Sequence, residues 1–216
     1  MSNTVAARFT SALAASRARR HPYPHWLLDQ VLPAGLAAEI AGLAIACPQA
    51  MLFDGRRESN NSSRIYFNAA ARSRFPAVEA LSRALQTPMV ADTIGGVCGA
   101  DLRGSRLRIE YCQDSDGFWL EPHTDIGAKR FTMMLYLSSG PDSDDWGTDI
   151  YDRQRRWYAR APGFFNSGLI FIPGDHTWHG VERRPIPGMR RSLMINYVGP
   201  EWRARHELAF PEQPVQ

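Results

Sequence analysis

His-Thr-Asp, at residues 123–125, stands between two stretches with the alternating character of β-strands, residues 107–111 and residues 130–137. Residues i and i+2 of a strand share a face, so His123 and Asp125 can direct an imidazole and a carboxylate towards a common point. So short a triplet is weak evidence alone, because it often arises by chance. Its position between two predicted strands favours a site over an incidental pair of surface residues.

A third side chain for the same point is expected from His176 or His179, which are three residues apart and therefore face opposite sides of a strand. We favour His179, because Gly-Val-Glu at residues 180–182 continues the strand beyond it. His176 follows the turn residues Pro-Gly-Asp at 173–175, which predicts a position at the rim.

Two histidines and one carboxylate form a facial triad of metal ligands, with three coordination positions left open. His123, Asp125 and His179 match that set. This arrangement is typical of non-haem Fe(II) oxygenases, and open positions indicate catalysis rather than a structural metal.

An arginine pair precedes the last strand-like run, and alternation separates its two members. Arg191 shares a face with apolar residues, and Arg190 shares the other face with polar ones. The apolar face is expected to be the interior. Arg191 therefore needs a buried anionic partner, because an unpaired buried charge is very costly. A guanidinium binds carboxylates through two parallel hydrogen bonds, so Arg191 is expected to receive the remote carboxylate of 2-oxoglutarate. The alternative is a buried salt bridge to an acid of the protein.

In several separate segments, the chain resembles the prolyl 4-hydroxylase-like branch of the 2-oxoglutarate- and Fe(II)-dependent dioxygenases. The matching features are a Pro-aromatic-Pro segment at 22–24, a Leu-Pro helix start at 32–33, a strand that reaches Tyr111, the His-x-Asp triplet, a strand with Tyr136, a glycine-containing strand at 146–151, an apolar strand at 168–172, and His179 followed by Arg191. Residues 183–188 make the connection between His179 and Arg191 longer than is usual in that family. The choice between the two adjacent arginines therefore stays open, with Arg190 as the alternative to Arg191. The resemblance spans roughly residues 22–200.

The resemblance implies a mainly β fold with flanking helices, a double-stranded β-helix of the jelly-roll or cupin-like kind. We expect a single domain over residues 1–216, with a helical N-terminal support over about 1–100 and a catalytic β-helix over about 101–200. Helices are predicted over residues 33–44 and 76–85, each close to a proline.

The same resemblance implies an activity, the hydroxylation of an unactivated C–H bond in a small molecule or a side chain, with release of succinate and CO2. Desaturation or ring closure is an alternative outcome. It implies Fe(II) as the metal, 2-oxoglutarate and O2 as co-substrates, and ascorbate as a supporting reductant. It also implies that Tyr136 and Tyr111 bind 2-oxoglutarate together with Arg191. Two other classes are a cupin-like metalloenzyme that needs no 2-oxoglutarate, and a degenerate β-helix that only binds a partner. An inward Arg191 disfavours the first class, and a complete triad disfavours the second.

The net charge and the composition limit the classes of binding partner that we expect. The net charge of +3 is small and the basic residues are scattered, so no nucleic-acid partner is expected. Basic residues are nearly all arginine, and we interpret Lys129, the only lysine, as composition bias rather than as part of a site. No stretch approaches the length of a membrane span.

Cysteine usage favours a reducing compartment, the cytoplasm, because Cys47, Cys98 and Cys112 are odd in number and form no Cys-x-x-Cys pair. The first 28 residues contain no acid, a composition shared with organelle transit peptides, so a targeting role is the alternative. A polar stretch at residues 54–63 is either a lid over the site or an ordinary surface loop.

Overall fold

The computed structural model describes residues 2–46, 54–56 and 64–216. Its helices are α1 Ser2–Ala14, α2 Ala34–Ala41, α3 Ala69–Arg74, α4 Pro76–Leu85 and α5 Pro88–Cys98. Its strands are β1 Arg17–Arg19, β2 His25–Leu28, β3 Arg64–Tyr66, β4 Arg106–Asp114, β5 Leu120–His123, β6 Lys129–Tyr136, β7 Asp149–Tyr151, β8 Trp157–Arg160, β9 Gly168–Phe171, β10 His179–Val181 and β11 Arg190–Val198. Short 3-10 helices lie at Ser143–Trp146 and Arg205–Glu207.

The strands form two antiparallel sheets. The major sheet has the order β1-β2-β9-β6-β11-β4-β3, and the minor sheet has the order β5-β10-β7-β8. Strands that are distant in sequence are therefore neighbours, as in a jelly roll, and the expected double-stranded β-helix is confirmed.

The N-terminal hundred residues are more than the expected helical support. They add β1 and β2 to one edge of the major sheet, next to β9, and β3 to the other edge, next to β4. β1 is fully exposed and carries two arginines, which suits an edge strand because charged side chains discourage pairing with another chain.

The main apolar core lies between the major sheet and the helices. On β11, Leu193, Ile195 and Tyr197 are buried in the same cluster as Phe9 of α1 and Leu81 of α4. The alternate β11 residues point the other way, into the space between the two sheets, where Arg190, Ser192 and Met194 line a cavity. The expectation that the apolar face of this strand is the interior of the β-helix is therefore wrong, because that face is covered by helices.

Both helices expected from the sequence are present. α4 spans residues 76–85 as predicted, begins with Pro76 and buries Val78, Leu81 and Leu85. α2 ends at Ala41, three residues earlier than predicted, where Gly42 provides the C-terminal cap. No helix among the described residues is long and apolar enough to cross a membrane.

His25, the first residue of β2, gives a prediction about how the stability of the protein depends on pH. His25 is buried, 3% exposed, and its ring lies 2.9 Å from the carbonyl oxygen of Tyr23. Burial lowers the pKa of His25 from its ordinary value of 6.5. The unfolded chain takes up a proton on this residue as the pH falls below about 6.5, whereas the folded chain resists protonation.

The stabilising contribution of neutral His25 is therefore fully present above pH 6.5 and is lost as the pH falls from there towards the folded-state pKa. We expect the free energy of unfolding of the metal-free protein to decrease below pH 6.5, and to decrease less steeply in His25→Gln. Urea unfolding at a series of pH values measures both slopes. Equal slopes in the two proteins would show that His25 does not contribute.

Candidate metal centre

The side chains of His123, Asp125 and His179 meet at one point between the sheets. Each offers one ligand atom, and these atoms all lie within 4.8 Å of one another. β5 and β10 are paired so that His179 is directly opposite His123, with ring centroids 4.3 Å apart. Gly180 makes this approach possible, because a β-carbon there would lie 2.7 Å from the carbonyl oxygen of Leu120.

Backbone carbonyls orient both imidazoles. Nδ1 of His123 lies 2.9 Å from the carbonyl oxygen of Glu121, and Nδ1 of His179 lies 2.9 Å from that of Thr177. Because a carbonyl only accepts, Nδ1 carries the proton in each ring, and Nε2 keeps a lone pair for a metal ion.

The electrostatic environment keeps His179 neutral. Burial, followed by the proximity of His123, lowers the pKa of His179 to about 3. Neutral imidazole is the form that binds metal ions, so His179 is in the ligating state at physiological pH.

Asp125 lies in the loop just after β5, with its side chain 1% exposed. Thr132 Oγ1 donates a hydrogen bond of 2.7 Å to its Oδ2, and the Lys129 ammonium forms an ion pair with its Oδ1. Both partners fix the orientation of the carboxylate.

His176 lies apart from this cluster. Its side chain is about one-third exposed, and Nδ1 is 2.9 Å from the carboxylate of its neighbour Asp175. The structure therefore brings His179, and not His176, to the point where His123 and Asp125 meet.

The cavity beside the three ligands contains a buried arginine, Arg190. Its Nη1 donates to Oδ2 of Asp114 at 2.5 Å, and its Nε donates to the carbonyl oxygen of Trp146 at 2.6 Å. Within the described part of the chain, its Nη2 is buried and has no hydrogen-bond partner, and the same is true of Oγ of Ser192 two residues later. Arg64, on β3, donates to the other oxygen of Asp114 at 3.0 Å.

Arg191 and Tyr111 are not in this cavity, which corrects two expectations. Arg191 is only half-buried and lines a surface depression with Gly42 and other residues next to α2. The Tyr111 hydroxyl lies 3.3 Å from the carbonyl oxygen of Ala41, and Tyr111 also interacts with Arg191. Both residues lie on the helix-covered face of the major sheet. Arg190, and not Arg191, lines the cavity with His123 and His179.

Tyr136 lies between the sheets and near Arg190, but it does not contact the candidate metal ligands. It faces the space between the sheets and is buried, and its ring lies 5.9 Å from the guanidinium of Arg190. Its hydroxyl is 2.9 Å from Thr148 Oγ1 and accepts a hydrogen bond from Thr148 N at 3.0 Å. In this structure Tyr136 therefore contacts the wall around Arg190 rather than the metal ligands.

Several residues that surround the site were not predicted from the sequence. Lys129 was interpreted as composition bias, yet it touches Asp125. Asp114 and Arg64 belong to strands whose pairing could not be inferred from the sequence. One signal was available, because the polar residues Arg190 and Ser192 alternate with buried apolar ones and so mark a second, polar interior.

Other expectations fall partly outside the described residues. The polar stretch at 54–63 is described only at residues 54–56, where the carbonyl oxygen of Gly55 accepts a hydrogen bond from Glu121 N at 3.0 Å. Cys47 also lies outside the described residues, whereas Cys98 and Cys112 are buried free thiols.

Comparison with known proteins identifies the fold. No protein-family model and no curated protein sequence matches the chain. Among solved structures, a prolyl hydroxylase of Trichoplax adhaerens, in complex with a peptide fragment of hypoxia inducible factor, is 14% identical, with a TM-score of 0.58 over 91% of this chain and 88% of that one. A prolyl-4-hydroxylase of Pseudomonas putida is 16% identical, with a TM-score of 0.57 over 90% of this chain and 94% of that one.

A third similar structure has a different activity. The non-haem alpha-ketoglutarate-dependent epimerase SnoN from nogalamycin biosynthesis is 14% identical, with a TM-score of 0.53 over 90% of this chain and 82% of that one. All three similarities cover most of both chains. The chain therefore has the fold of the prolyl 4-hydroxylase-like 2-oxoglutarate- and Fe(II)-dependent oxygenases.

Proposed function

We propose that this chain is a 2-oxoglutarate- and Fe(II)-dependent oxygenase that hydroxylates a C–H bond of a small molecule or of a side chain. One observation carries the proposal. His123 and His179, whose ligand atoms lie within 4.8 Å of that of Asp125, line the same cavity as Arg190, a buried arginine with an unpartnered Nη2. A metal site alone would suit many proteins, but an anion receiver beside it suits a metal enzyme with an anionic co-substrate.

The residues present fit Fe(II). His123 and His179 offer neutral imidazole nitrogens, and Asp125 offers a carboxylate oxygen. This set leaves coordination positions for the co-substrate and for oxygen. When bound, Fe(II) and 2-oxoglutarate supply oxidising power from O2, and one oxygen atom enters the substrate while the other enters succinate as CO2 is released.

The residues also fit 2-oxoglutarate. Arg64 and Arg190, which both line this cavity, share the carboxylate of Asp114. The free Nη2 of Arg190 and Oγ of Ser192 can both donate hydrogen bonds to a carboxylate placed there. Asp114 and the carbonyl of Trp146 hold the other guanidinium nitrogens and so direct the free one.

The cavity wall suits chemistry that must exclude water. Phe118, Met134 and Met194 line it together with His123, His179 and Arg190. On the other side of His123, a more open groove is lined by Tyr66, Trp202 and other residues. His123 lines both spaces, so a substrate in the outer groove would reach the metal without displacing the co-substrate from the inner cavity.

Arg190 and the three candidate metal ligands also argue against the two alternative functions, a metalloenzyme that needs no 2-oxoglutarate and a module that only binds a partner. An arginine with a free donor beside the ligands disfavours a metalloenzyme that works without an anionic co-substrate. Three ligands held by carbonyls, Thr132 and Lys129 disfavour a module that only binds a partner. Hydroxylation is supported by the similarity to prolyl hydroxylases, while the similar epimerase makes product analysis necessary.

The test is turnover of 2-oxoglutarate by the purified chain. We expect slow formation of succinate that requires both Fe(II) and 2-oxoglutarate, with faster formation once a true substrate is added. Mass spectrometry of the product under ¹⁸O₂ should show one labelled oxygen atom in a hydroxylated substrate. Metal-loaded protein that forms no succinate with or without candidate substrates, and does not bind 2-oxoglutarate, would contradict the proposal.

A further inference from the structure

Lys129 is the only lysine in a chain with 25 basic residues, and it is completely buried. It stands at the start of β6, four residues after Asp125. Its ammonium forms an ion pair with Oδ1 of Asp125 and lies 3.7 Å from the sulfur of Met194. Burial of a lysine side chain is costly, so a buried lysine on a metal-ligating carboxylate calls for a reason.

The two oxygens of Asp125 are held from different directions. Thr132 lines the cavity together with His123 and His179, and it donates to Oδ2. Lys129 holds the other oxygen, Oδ1.

Thr132 is itself held in place. Asn196 Nδ2 lies 2.9 Å from Thr132 Oγ1, and Arg108 Nη1 donates to Asn196 Oδ1 at 3.3 Å. Arg108 in turn donates to Glu207 at 2.5 Å, at the outer groove. A continuous set of buried hydrogen bonds therefore determines how the Asp125 carboxylate is oriented.

We propose that Lys129 is a positioning residue that keeps Asp125 a ligand through one oxygen only. This inference rests on the proposed function. A carboxylate with two accessible oxygens can bind a metal ion through both, which would take up a position that the reaction needs open. By engaging Oδ1, Lys129 leaves Oδ2 for the metal.

The chain's composition agrees with a specific need for lysine. Arginine occupies every other basic position, yet the residue beside Asp125 is lysine. The ammonium is a compact point charge on a flexible stem, whereas a guanidinium is a broad planar fork. Because the partner has to reach one oxygen of Asp125 in a buried space, the ammonium of a lysine fits better than a guanidinium.

Lys129→Met is the first test, with Arg130→Met as the matched control. Arg130 is the next residue, but its side chain is 50% exposed and pairs with Glu201 at the surface. We expect Lys129→Met, purified with Co(II) present, to keep one metal ion per chain and its affinity for 2-oxoglutarate. We expect its Co(II) absorption spectrum to change and its turnover of 2-oxoglutarate to fall about 10- to 100-fold, the range for residues that orient metal ligands. Arg130→Met should match the native protein in all four measurements.

Two results for Lys129→Met would overturn the inference. A native Co(II) spectrum with native turnover would show that Lys129 does not control the ligand. Loss of the metal ion would show that Lys129 maintains the site as a whole rather than the binding mode of Asp125.

A structure of the native protein with Co(II) and 2-oxoglutarate, crystallised without oxygen, decides the matter even if Lys129→Met does not fold. It should show one oxygen of Asp125 on the metal and the other on the Lys129 ammonium. Two oxygens on the metal, or a displaced Lys129, would overturn the inference while leaving the proposed function intact. A native protein that binds no metal at His123, Asp125 and His179 would instead overturn the proposed function, and this inference with it.

Discussion

His179→Ala is expected to abolish Fe(II)-dependent turnover, whereas His176→Ala keeps most of it. His179 is buried, neutral and directly opposite His123 in the strand pairing, so its imidazole has no substitute in the cluster. Removal of residues that only orient metal ligands costs about 10- to 100-fold in affinity or activity, and loss of a ligand should exceed that range. The measurement is iron content and succinate formation in both variants.

His176→Ala is the matched control, because it removes the other histidine of the same segment. Its ring is partly exposed and contacts Asp175 rather than the cluster. Both variants should keep the circular dichroism spectrum of the native protein, since the apolar core lies on the far side of the major sheet. Full activity in His179→Ala together with an inactive His176→Ala would reverse the assignment of the ligand.

Arg190→Ala is expected to weaken 2-oxoglutarate binding strongly, and Arg191→Ala is expected to leave it almost unchanged. Truncation of one partner of a buried charge pair costs on the order of 2–5 kcal/mol. We expect the lower part of that range, because Nη1 and Nε of Arg190 are already engaged by the protein and Ser192 keeps a second donor. Isothermal titration of 2-oxoglutarate into Mn(II)-loaded variants gives both affinities.

The two arginine variants form a natural comparison, since they are adjacent on β11 and face opposite sides. Asp114 keeps Arg64 as a partner when Arg190 is removed, so the variant does not leave an unpaired buried acid. A larger loss of affinity in Arg191→Ala than in Arg190→Ala would contradict the assignment.

The grouping of the three candidate metal ligands was predictable because the evidence for it is local. His123 and Asp125 are two residues apart, and the choice of His179 over His176 needed only a turn and a strand within a few residues. The structure brings together the three side chains that the sequence indicated. The fold itself was predictable through resemblance, from short motifs spread along most of the chain.

The position of Arg190 in the cavity was not predictable from alternation alone. Alternation separates Arg190 from Arg191, but it does not say which face of β11 the helices cover. In this fold the helices pack on the apolar face, and the polar face lines the cavity. The sequence analysis took the apolar face for the interior and therefore chose Arg191.

Residues that reach the site through distant pairing were also beyond sequence reasoning. Arg64 lies on an edge strand, and its partner Asp114 is fifty positions away. Lys129 has no motif that distinguishes it, and only its contact with Asp125 shows that it belongs to the site. The strands β1 and β2 are short, and the pairing of β2 with β9 depends on contacts across more than a hundred residues.

The central claim is that His123, Asp125 and His179 hold Fe(II) in the same cavity in which Arg190 receives 2-oxoglutarate. Titration of 2-oxoglutarate into the Fe(II) protein without oxygen tests it most directly, because chelation of Fe(II) by the keto acid gives a weak visible charge-transfer band. We predict a saturable band that requires both Fe(II) and 2-oxoglutarate, that is absent in His179→Ala, and that needs more 2-oxoglutarate in Arg190→Ala. Iron-loaded native protein that develops no band at saturating 2-oxoglutarate would contradict the account.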